Sequence, residues 1–187
     1  MGSCYQAPSE EHLFDMEYRP MQQAKLARAG APPLGGRVAL VTGAGGAIGS
    51  GISERLLLEG AHVAVTDLPG DSLSQLAESL GRQFPNRVLA IGLDVTDPGS
   101  VTDGFAQVSR AWGGVDIVVI NAGLAHVSSL ETMEIEKFQQ LERVNTHGTL
   151  LLLREAARHM KRQGTGGDIV LVSTKNVFAP GAEFGAY

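Results

Sequence analysis

Residues 37–67 read RVALVTGAGGAIGSGISERLLLEGAHVAVTD, and this stretch decides the fold. The run from Val38 to Val41 is too short and too rich in β-branched residues for a helix, so it predicts a buried parallel strand. A glycine-rich turn, a helix, a second apolar strand and an acid, Asp67, follow in that order. This succession of elements is typical of a nucleotide-binding β-α-β unit.

The turn between the first strand and the helix contains three glycines, Gly43, Gly45 and Gly46. Because they have no Cβ atom, the backbone can turn sharply there and approach a ligand closely. The helix that we expect to begin near Ala47 directs free N–H groups to the same place, which suits an anion such as a pyrophosphate. Asp67 follows at about the spacing at which an acid accepts hydrogen bonds from the hydroxyls of an adenosine ribose. The alternatives are that the glycines form only a tight turn and that Asp67 caps the Pro-Gly turn after it.

The composition of the chain restricts its class. With 187 residues, of which 43% are hydrophobic, the chain can bury one core and suits a single domain. A net charge of −5 and the lack of clustered Lys and Arg argue against a nucleic-acid partner. The sequence has no long uncharged apolar run and no signal peptide, so we expect no membrane association. Cys4 is the only cysteine, which excludes an intrachain disulfide and favours the reducing cytoplasm.

Beyond residue 67 the sequence keeps alternating between helices and strands. We predict helices at 71–84, 98–112 and 131–162, the last interrupted near Asn145 and Gly148, and strands at 87–93, 115–120 and 168–172. Because the strands are apolar throughout, they predict a parallel sheet with helices on both faces, a doubly wound α/β fold. Residues 1–36 show no strand pattern, one short helix at 21–29 and a Pro/Gly stop. We interpret them as a leader or interdomain linker before a domain at 37–187.

A set of ordered motifs carries a family resemblance. The set consists of Thr42-Gly43-x-x-x-Ala47-Ile48-Gly49, Asp67, Asp94-Val95, Asn121-Ala122-Gly123, Asn145, Ser173-Thr174 and Tyr187. Over about residues 36–187 it resembles the short-chain dehydrogenase/reductase family, which implies a Rossmann-type sheet of strand order 3-2-1-4-5. Two positions depart from the family pattern. Ala47 replaces the usual middle glycine, which we expect to be tolerated, and Thr174 replaces the usual catalytic serine, 13 residues before the tyrosine.

The resemblance implies an enzyme that transfers hydride between a nicotinamide cofactor and a small alcohol or aldehyde. Tyr187 would move the proton of the substrate oxygen once its pKa falls from about 10 toward neutrality. The hydroxyl of Thr174, with Ser173 as the alternative, would hold that oxygen within reach of tyrosine and hydride. Asn145 resembles the family's asparagine that holds a water for the proton relay. We expect no metal site, and we interpret four histidines as solvated loop residues: His12, His62, His126 and His159.

The resemblance also implies which residues bind the cofactor. They are Thr42, Gly43, Gly45, Gly46, Ala47, Ile48, Gly49, Asp67, Leu68, Asp94, Val95, Asn121, Ala122 and Gly123. The strand end at Asn121 would lie beside the nicotinamide ribose, and Asp94 would meet the adenine edge with Val95. An alternative for Asp94 is simple capping of the next helix. We expect NAD rather than NADP, because the Asp67 carboxylate repels an extra phosphate and Leu68 offers no cation.

The leader carries a narrower resemblance. Residues 14–18 (FDMEY), 23–26 (QAKL) and 32–38 (PPLGGRV) are similar to the junction in bifunctional rhamnulose-phosphate aldolase/short-chain dehydrogenase proteins. The two resemblances imply a dehydrogenase domain truncated after its fifth strand, which forms a homo-oligomer in its full-length form. The family's lysine, which follows the tyrosine by four residues, has no counterpart in these 187 residues, so we expect no turnover from them alone. The alternative function is a non-catalytic dinucleotide-binding or interaction fragment.

Overall fold

The computed structural model describes residues 16, 18–21, 32–179 and 181–185. Its described residues from 32 to 185 form five strands and five α-helices: β1 (Val38–Thr42), α1 (Ala47–Leu58), β2 (His62–Asp67), α2 (Asp71–Gln83), β3 (Val88–Gly92), α3 (Pro98–Trp112), β4 (Ile117–Ile120), α4 (Ile135–Leu141), α5 (Thr149–Gln163) and β5 (Asp168–Leu171). A π-helical turn, Glu142–Gly148, joins α4 to α5, and short 3-10 helices lie at Leu130–Thr132 and Lys175–Val177. Tyr187, Cys4, His12 and most of the helix expected at 21–29 lie outside the described residues.

The five strands form one parallel sheet of order β3-β2-β1-β4-β5, which confirms the predicted topology. β1 lies at the centre, where Val41 pairs with Val65 of β2 and with Val119 of β4. Because all the strands run in the same direction, their carboxyl ends meet at one edge of the sheet. The loops that follow β1 and β4 converge at this edge, which is where open α/β sheets bind ligands.

The core is divided between the two faces of the sheet, because successive side chains of a strand point in opposite directions. Leu40 packs on one face in a cluster with Phe105 of α3 and Leu152 of α5. Val41 packs on the other face in a cluster with Leu57 of α1. β1 is buried over its whole length, which explains why its sequence is a continuous apolar run.

The start of α3 shows which acid caps the helix. The carboxylate of Asp97 accepts hydrogen bonds from the N–H groups of Gly99 (3.0 Å) and Ser100 (3.2 Å), as an N-cap does. Asp94 Oδ1 instead accepts from the backbone N–H and the hydroxyl of Thr96, both at 2.8 Å. The capping alternative for Asp94 is therefore wrong, and α3 occupies the range predicted for it.

Two of the histidines predicted to be solvated loop residues lie instead in packed elements. His62 begins β2, and its ring meets the ring of Trp112 edge to face, with centroids 5.3 Å apart. His159 lies in α5 and is 6% exposed, with its ring centroid 5.6 Å from that of Phe105. The interpretation of both as solvated loop residues is wrong, because each lies in a secondary-structure element that packs on the core.

β5 is the least covered strand. Among the described strands it pairs with β4 alone, and all four of its residues are exposed. Its apolar side chains are 37–52% exposed, namely Ile169, Val170 and Leu171. Within the described residues, this side of the sheet therefore leaves an apolar face uncovered.

Candidate active site

A cleft of about 530 Å³ lies at the carboxyl edge of the sheet. Its volume falls in the range of roughly 300–1,000 Å³ that is usual for ligand sites. Most of the predicted cofactor residues line it: Thr42, Gly43, Gly46, Ala47, Ile48, Gly49, Asp67, Leu68, Asp94, Val95, Asn121, Ala122 and Gly123. The fold therefore brings together, from four separate strand ends, residues that the sequence analysis selected one motif at a time.

Five residues of the cleft were not predicted from the sequence: Thr66, Leu93, Leu124, Gln140 and Val144. Thr66, Leu93, Leu124 and Val144 each adjoin a predicted residue, so a wider window around each motif could have found them. Gln140 lies in α4, and only the packing of that helix onto the sheet edge brings it to the cleft. No local pattern marks this position.

The glycine loop leaves the first turn of α1 open. Gly43 has a φ of 63°, a left-handed conformation that L side chains rarely adopt. A Cβ on Gly49 would collide with the carbonyl oxygen of Gly43 and lie 2.8 Å from the Cα of Ala44, so the helix begins in close contact with the loop. The N-cap of α1 is Gly46, which has no side chain to accept hydrogen bonds from the N–H groups of the first turn. That turn also contains no acid. The positive end of the helix is therefore available to an anion.

Asp67 is held at the end of β2 by two backbone donors. Its Oδ2 accepts from Gly45 N at 2.9 Å, and its Oδ1 accepts from Leu68 N at 2.8 Å. Each carboxylate oxygen has a second lone pair, so both remain able to accept a hydrogen bond from a ligand. Gly45 is a predicted cofactor residue that does not line the cleft. It acts on the site through Asp67, since a Cβ on Gly45 would lie 3.0 Å from Oδ2.

Thr42 and Asn121 connect the ends of β1 and β4. The buried Thr42 Oγ1 accepts from the backbone N–H groups of Asn121 (3.0 Å) and Ala122 (3.1 Å). The side-chain amide of Asn121 donates in return to the carbonyl oxygens of Thr42 (3.0 Å) and Gly43 (3.1 Å). These four hydrogen bonds fix the floor of the cleft, because each joins one strand end to the other.

Asn145 lies in the π-helical turn, at the interruption that the sequence predicts. Its side chain pairs with the backbone of Leu124: Oδ1 accepts from Leu124 N and Nδ2 donates to Leu124 O, both at 2.8 Å. The turn itself packs on the loop after β3, since a Cβ on Gly148 would lie 2.9 Å from Val95 Cγ2. Turns of this kind inside helices occur frequently at functional sites. Asn145 thus supports the cleft from outside its lining.

Ser173 and Thr174 follow β5 and do not line the cleft. Ser173 is exposed, whereas Thr174 is half-buried and its Oγ1 accepts from Asn176 N at 3.2 Å. Because β5 lies next to β4 in the sheet, these hydroxyls belong to the same edge as Asn121. Tyr187, the predicted proton donor and acceptor, lies outside the described residues.

The charges and side chains of the described residues restrict the chemistry further. The lining of the cleft includes the acids Asp67 and Asp94 and, in the part of the chain that the structure describes, no Lys or Arg. Within the same residues, no group of three or more His, Cys, Asp or Glu is placed to hold a metal ion. None of the described helices combines the length and the apolar character that a membrane span needs.

Residues 37–187 match the family model of the short chain dehydrogenases. The uncharacterized oxidoreductase YuxG of Bacillus subtilis (strain 168) is 36% identical over 182 residues, which cover 95% of this chain and 26% of that protein. The 2-(R)-hydroxypropyl-CoM dehydrogenase of Xanthobacter autotrophicus is 34% identical over 146 residues, covering 76% of this chain and 58% of that protein. The crystal structure of 3-ketoacyl-(acyl-carrier-protein) reductase from Brucella melitensis, complexed with NADH, matches with a TM-score of 0.76 at 29% identity, covering 82% of this chain and 64% of that chain. The chain thus spans less than two thirds of the length of each of these relatives.

Proposed function

We propose that this chain, which belongs to the short-chain dehydrogenase family, acts as a dinucleotide-dependent oxidoreductase. The proposed reaction moves hydride between a nicotinamide and a small alcohol or its carbonyl form. The observation that carries the proposal is the cleft, which combines an uncapped helix N-terminus with a fixed carboxylate at the carboxyl edge of a parallel sheet. The relative named as a hydroxypropyl-CoM dehydrogenase supports an alcohol as the substrate class.

The described residues fit a nicotinamide dinucleotide. The N–H groups in the first turn of α1 would hold the pyrophosphate, since no side chain caps them and Gly46 places no Cβ in the way. Asp67 would accept hydrogen bonds from the adenosine ribose, and the strand end at Asn121 would lie at the nicotinamide ribose. When bound, the cofactor supplies the hydride donor or acceptor. The protein supplies binding and orientation.

The charge distribution supports NAD rather than NADP. A phosphate on the adenosine ribose would meet the Asp67 carboxylate, which Gly45 N and Leu68 N hold in place. Leu68 is 60% exposed at the same corner and offers no positive charge to a phosphate. The related structure in complex with NADH supports a nicotinamide dinucleotide as the ligand. We therefore propose NAD as the cofactor, with a small alcohol or aldehyde as the second substrate.

Thr174 is better placed than Ser173 to orient a substrate oxygen. Its Oγ1 already accepts a hydrogen bond from Asn176 N, so the hydroxyl proton is directed away from the backbone and can be donated to substrate. Tyr187 would then take or return the proton of the substrate oxygen at its phenolic oxygen. Asn145 keeps one amide hydrogen and one lone pair beyond its two bonds to Leu124, which are enough to hold a water for the proton relay.

The proposal is tested by supplying the full-length protein with small secondary alcohols and hydroxyaldehydes. Hydride transfer is then measured through the absorbance of NADH. Tyr187→Phe should lower kcat at least about 100-fold, since general acid–base catalysis contributes that much, while the Kd of NADH stays unchanged. Thr174→Ala should lower kcat, and Thr174→Ser should retain most of it. Ser173→Ala is the matched control. The proposal is contradicted if no alcohol reduces NAD or if Tyr187→Phe retains the parent kcat. Loss of activity in Ser173→Ala alone would transfer the hydroxyl role to Ser173.

The leader supports a further part of the proposal. Residues 14–18, 23–26 and 32–38 resemble the junction of bifunctional aldolase/dehydrogenase proteins. We therefore propose that the dehydrogenase unit works beside an aldolase domain, in a cytoplasmic homo-oligomer. The intact mass of the native protein tests for the aldolase domain, and light scattering in solution tests for the homo-oligomer.

A further inference from the structure

The loop after β4 is fastened to the segment after β5. Ser128 N donates to Glu183 O at 2.9 Å, and Ser128 forms an isolated parallel bridge with Phe184. A Cβ on Gly185 would lie 2.7 Å from Leu130 Cδ2, so the Leu130 side chain is in close contact with the end of the segment. We call these five residues the clamp. They hold together two loops that belong to neighbouring strands at the carboxyl edge of the sheet.

A short chain of hydrogen bonds connects the clamp to Thr174. Asn176 N donates to Thr174 Oγ1 at 3.2 Å, and Gly181 N donates to Asn176 Oδ1 at 3.4 Å. Phe184 N donates to Gly181 O at 3.3 Å and closes a turn around Glu183. The hydroxyl that orients the substrate in our proposal is therefore coupled to the clamp through this turn.

Glu183 has a strained backbone at the centre of that turn. Its φ is 65°, in the left-handed region, which side chains other than those of glycine, asparagine and aspartate rarely adopt. Among the described residues, Asn86 is the other residue besides glycine with a positive φ, and asparagine tolerates this conformation well. A left-handed glutamate persists because surrounding contacts hold it there. Strain of this kind clusters at sites where the positions of side chains matter for function.

We propose that the clamp positions the hydroxyl of Thr174, with Glu183 as the positioning residue. The inference rests on the proposed role of Thr174. Glu183 acts through its backbone conformation, and its carboxylate is not needed.

Three variants at one position separate the backbone of Glu183 from its carboxylate. Glu183→Asn and Glu183→Gly remove the charge but tolerate a positive φ, whereas Glu183→Val also opposes that φ through its branched Cβ. In the full-length protein we expect Glu183→Val to lower kcat at least tenfold. We expect the asparagine and glycine variants to stay within about threefold of the parent. The Kd of NADH should be unchanged in all three, because Asp67 and the loop at Gly43 lie on other strands.

A second pair of variants tests the hydrogen bond of the clamp without changing Glu183. Ser128→Pro removes the N–H group that donates to Glu183 O. Ser129→Pro is the matched control, because Ser129 already has a φ of −66°, which suits proline. We expect Ser128→Pro to lower kcat at least fivefold and Ser129→Pro to leave kcat unchanged. This pair decides the matter if Glu183→Val does not fold.

Equal kcat values in Glu183→Val and Glu183→Asn would overturn the proposal, as would a loss of activity that follows the missing carboxylate. A weaker Kd for NADH in Glu183→Val would also overturn it, since the effect would then be general damage to the fold. Failure of the proposed function has a different signature. In that case Tyr187→Phe keeps the parent kcat, whatever the Glu183 variants do.

Discussion

Acid should destabilise this fold through one buried histidine. His159 is 6% exposed, and its Nε2 lies 2.6 Å from Ser109 Oγ on the facing helix α3. Burial lowers the pKa of His159 from 6.5 to about 4; Glu155 opposes this change, and Arg162 and Arg158 reinforce it. The ring is therefore neutral in the folded protein at pH 7, and protonation places a charge between two packed helices.

The direction of the pH effect follows from the two pKa values. The unfolded chain protonates this ring near pH 6.5 and the folded protein near pH 4, so between these values the unfolded state binds more protons. Stability is complete above pH 6.5 and falls as the pH is lowered through this window. The gap corresponds to roughly 3 kcal/mol in total, of which about 2 kcal/mol is lost by pH 5.

A double variant isolates this contribution from the carboxylates that titrate in the same range. Ser109→Ala with His159→Leu removes the ring and its hydroxyl partner together, while Arg158 still donates a hydrogen bond to Glu155 Oε1. Urea unfolding of the full-length protein at pH 7 and pH 5 gives the two free energies of unfolding. Between these pH values the double variant should lose about 2 kcal/mol less than the parent. Parallel losses in the two proteins, or a native-state NMR titration of His159 with a midpoint near 6, would refute the reasoning.

Two further substitutions test the loop and the π-helical turn. Gly49→Ala should lower the free energy of unfolding by about 1–3 kcal/mol and weaken NADH binding, because its methyl would meet the carbonyl of Gly43. The control is Gly51→Ala, in the same helix with open space around it, which should be neutral or stabilising by up to about 1 kcal/mol. Equal effects of the two substitutions in urea unfolding and NADH titration would contradict the prediction for Gly49→Ala. Asn145→Asp replaces the donor to Leu124 O with an acceptor, so it should cost about 0.5–1.5 kcal/mol in urea unfolding and lower kcat. A variant as stable and active as the parent would show that this pairing is dispensable.

The fold was largely predictable because its signals are local. Asp97 and Pro98 mark the start of α3, and the glycines after β1 mark the turn into α1. The order of the strands came from the family resemblance rather than from any one strand, since a short apolar run such as β4 does not indicate its neighbours.

The position of His159 could not be predicted from its residue type alone. Leu152, Ala156 and Met160 recur at intervals of four in α5 and are buried, and His159 lies on the same face of the helix. The helical period could have placed the ring in the core, whereas the residue type alone suggested solvent. The partner of His159, Ser109, lies 50 residues earlier in the sequence, and only the packing of α3 on α5 brings it close.

The candidate site also combines residues that the sequence indicates with residues that it does not. The residues that hold the pyrophosphate and ribose lie in motifs with fixed spacing, so the sequence indicates them. Gln140 reaches the cleft through a helix that folds back over the sheet edge, and Asn145 pairs with the backbone of Leu124 across 21 residues of sequence. Contacts of this kind depend on how loops pack, and no periodic pattern in the sequence indicates them.

The most direct test of the central claim, that the cleft is a nicotinamide dinucleotide site defined by Asp67, is a calorimetric titration of the full-length protein with NAD and with NADP. We expect one site per chain and at least tenfold tighter binding of NAD. The preference should shift toward NADP in the variant that combines Asp67→Ala with Leu68→Arg, because a repulsive charge is removed and a phosphate partner is added. Absence of saturable binding, or tighter binding of NADP by the parent protein, would contradict the account.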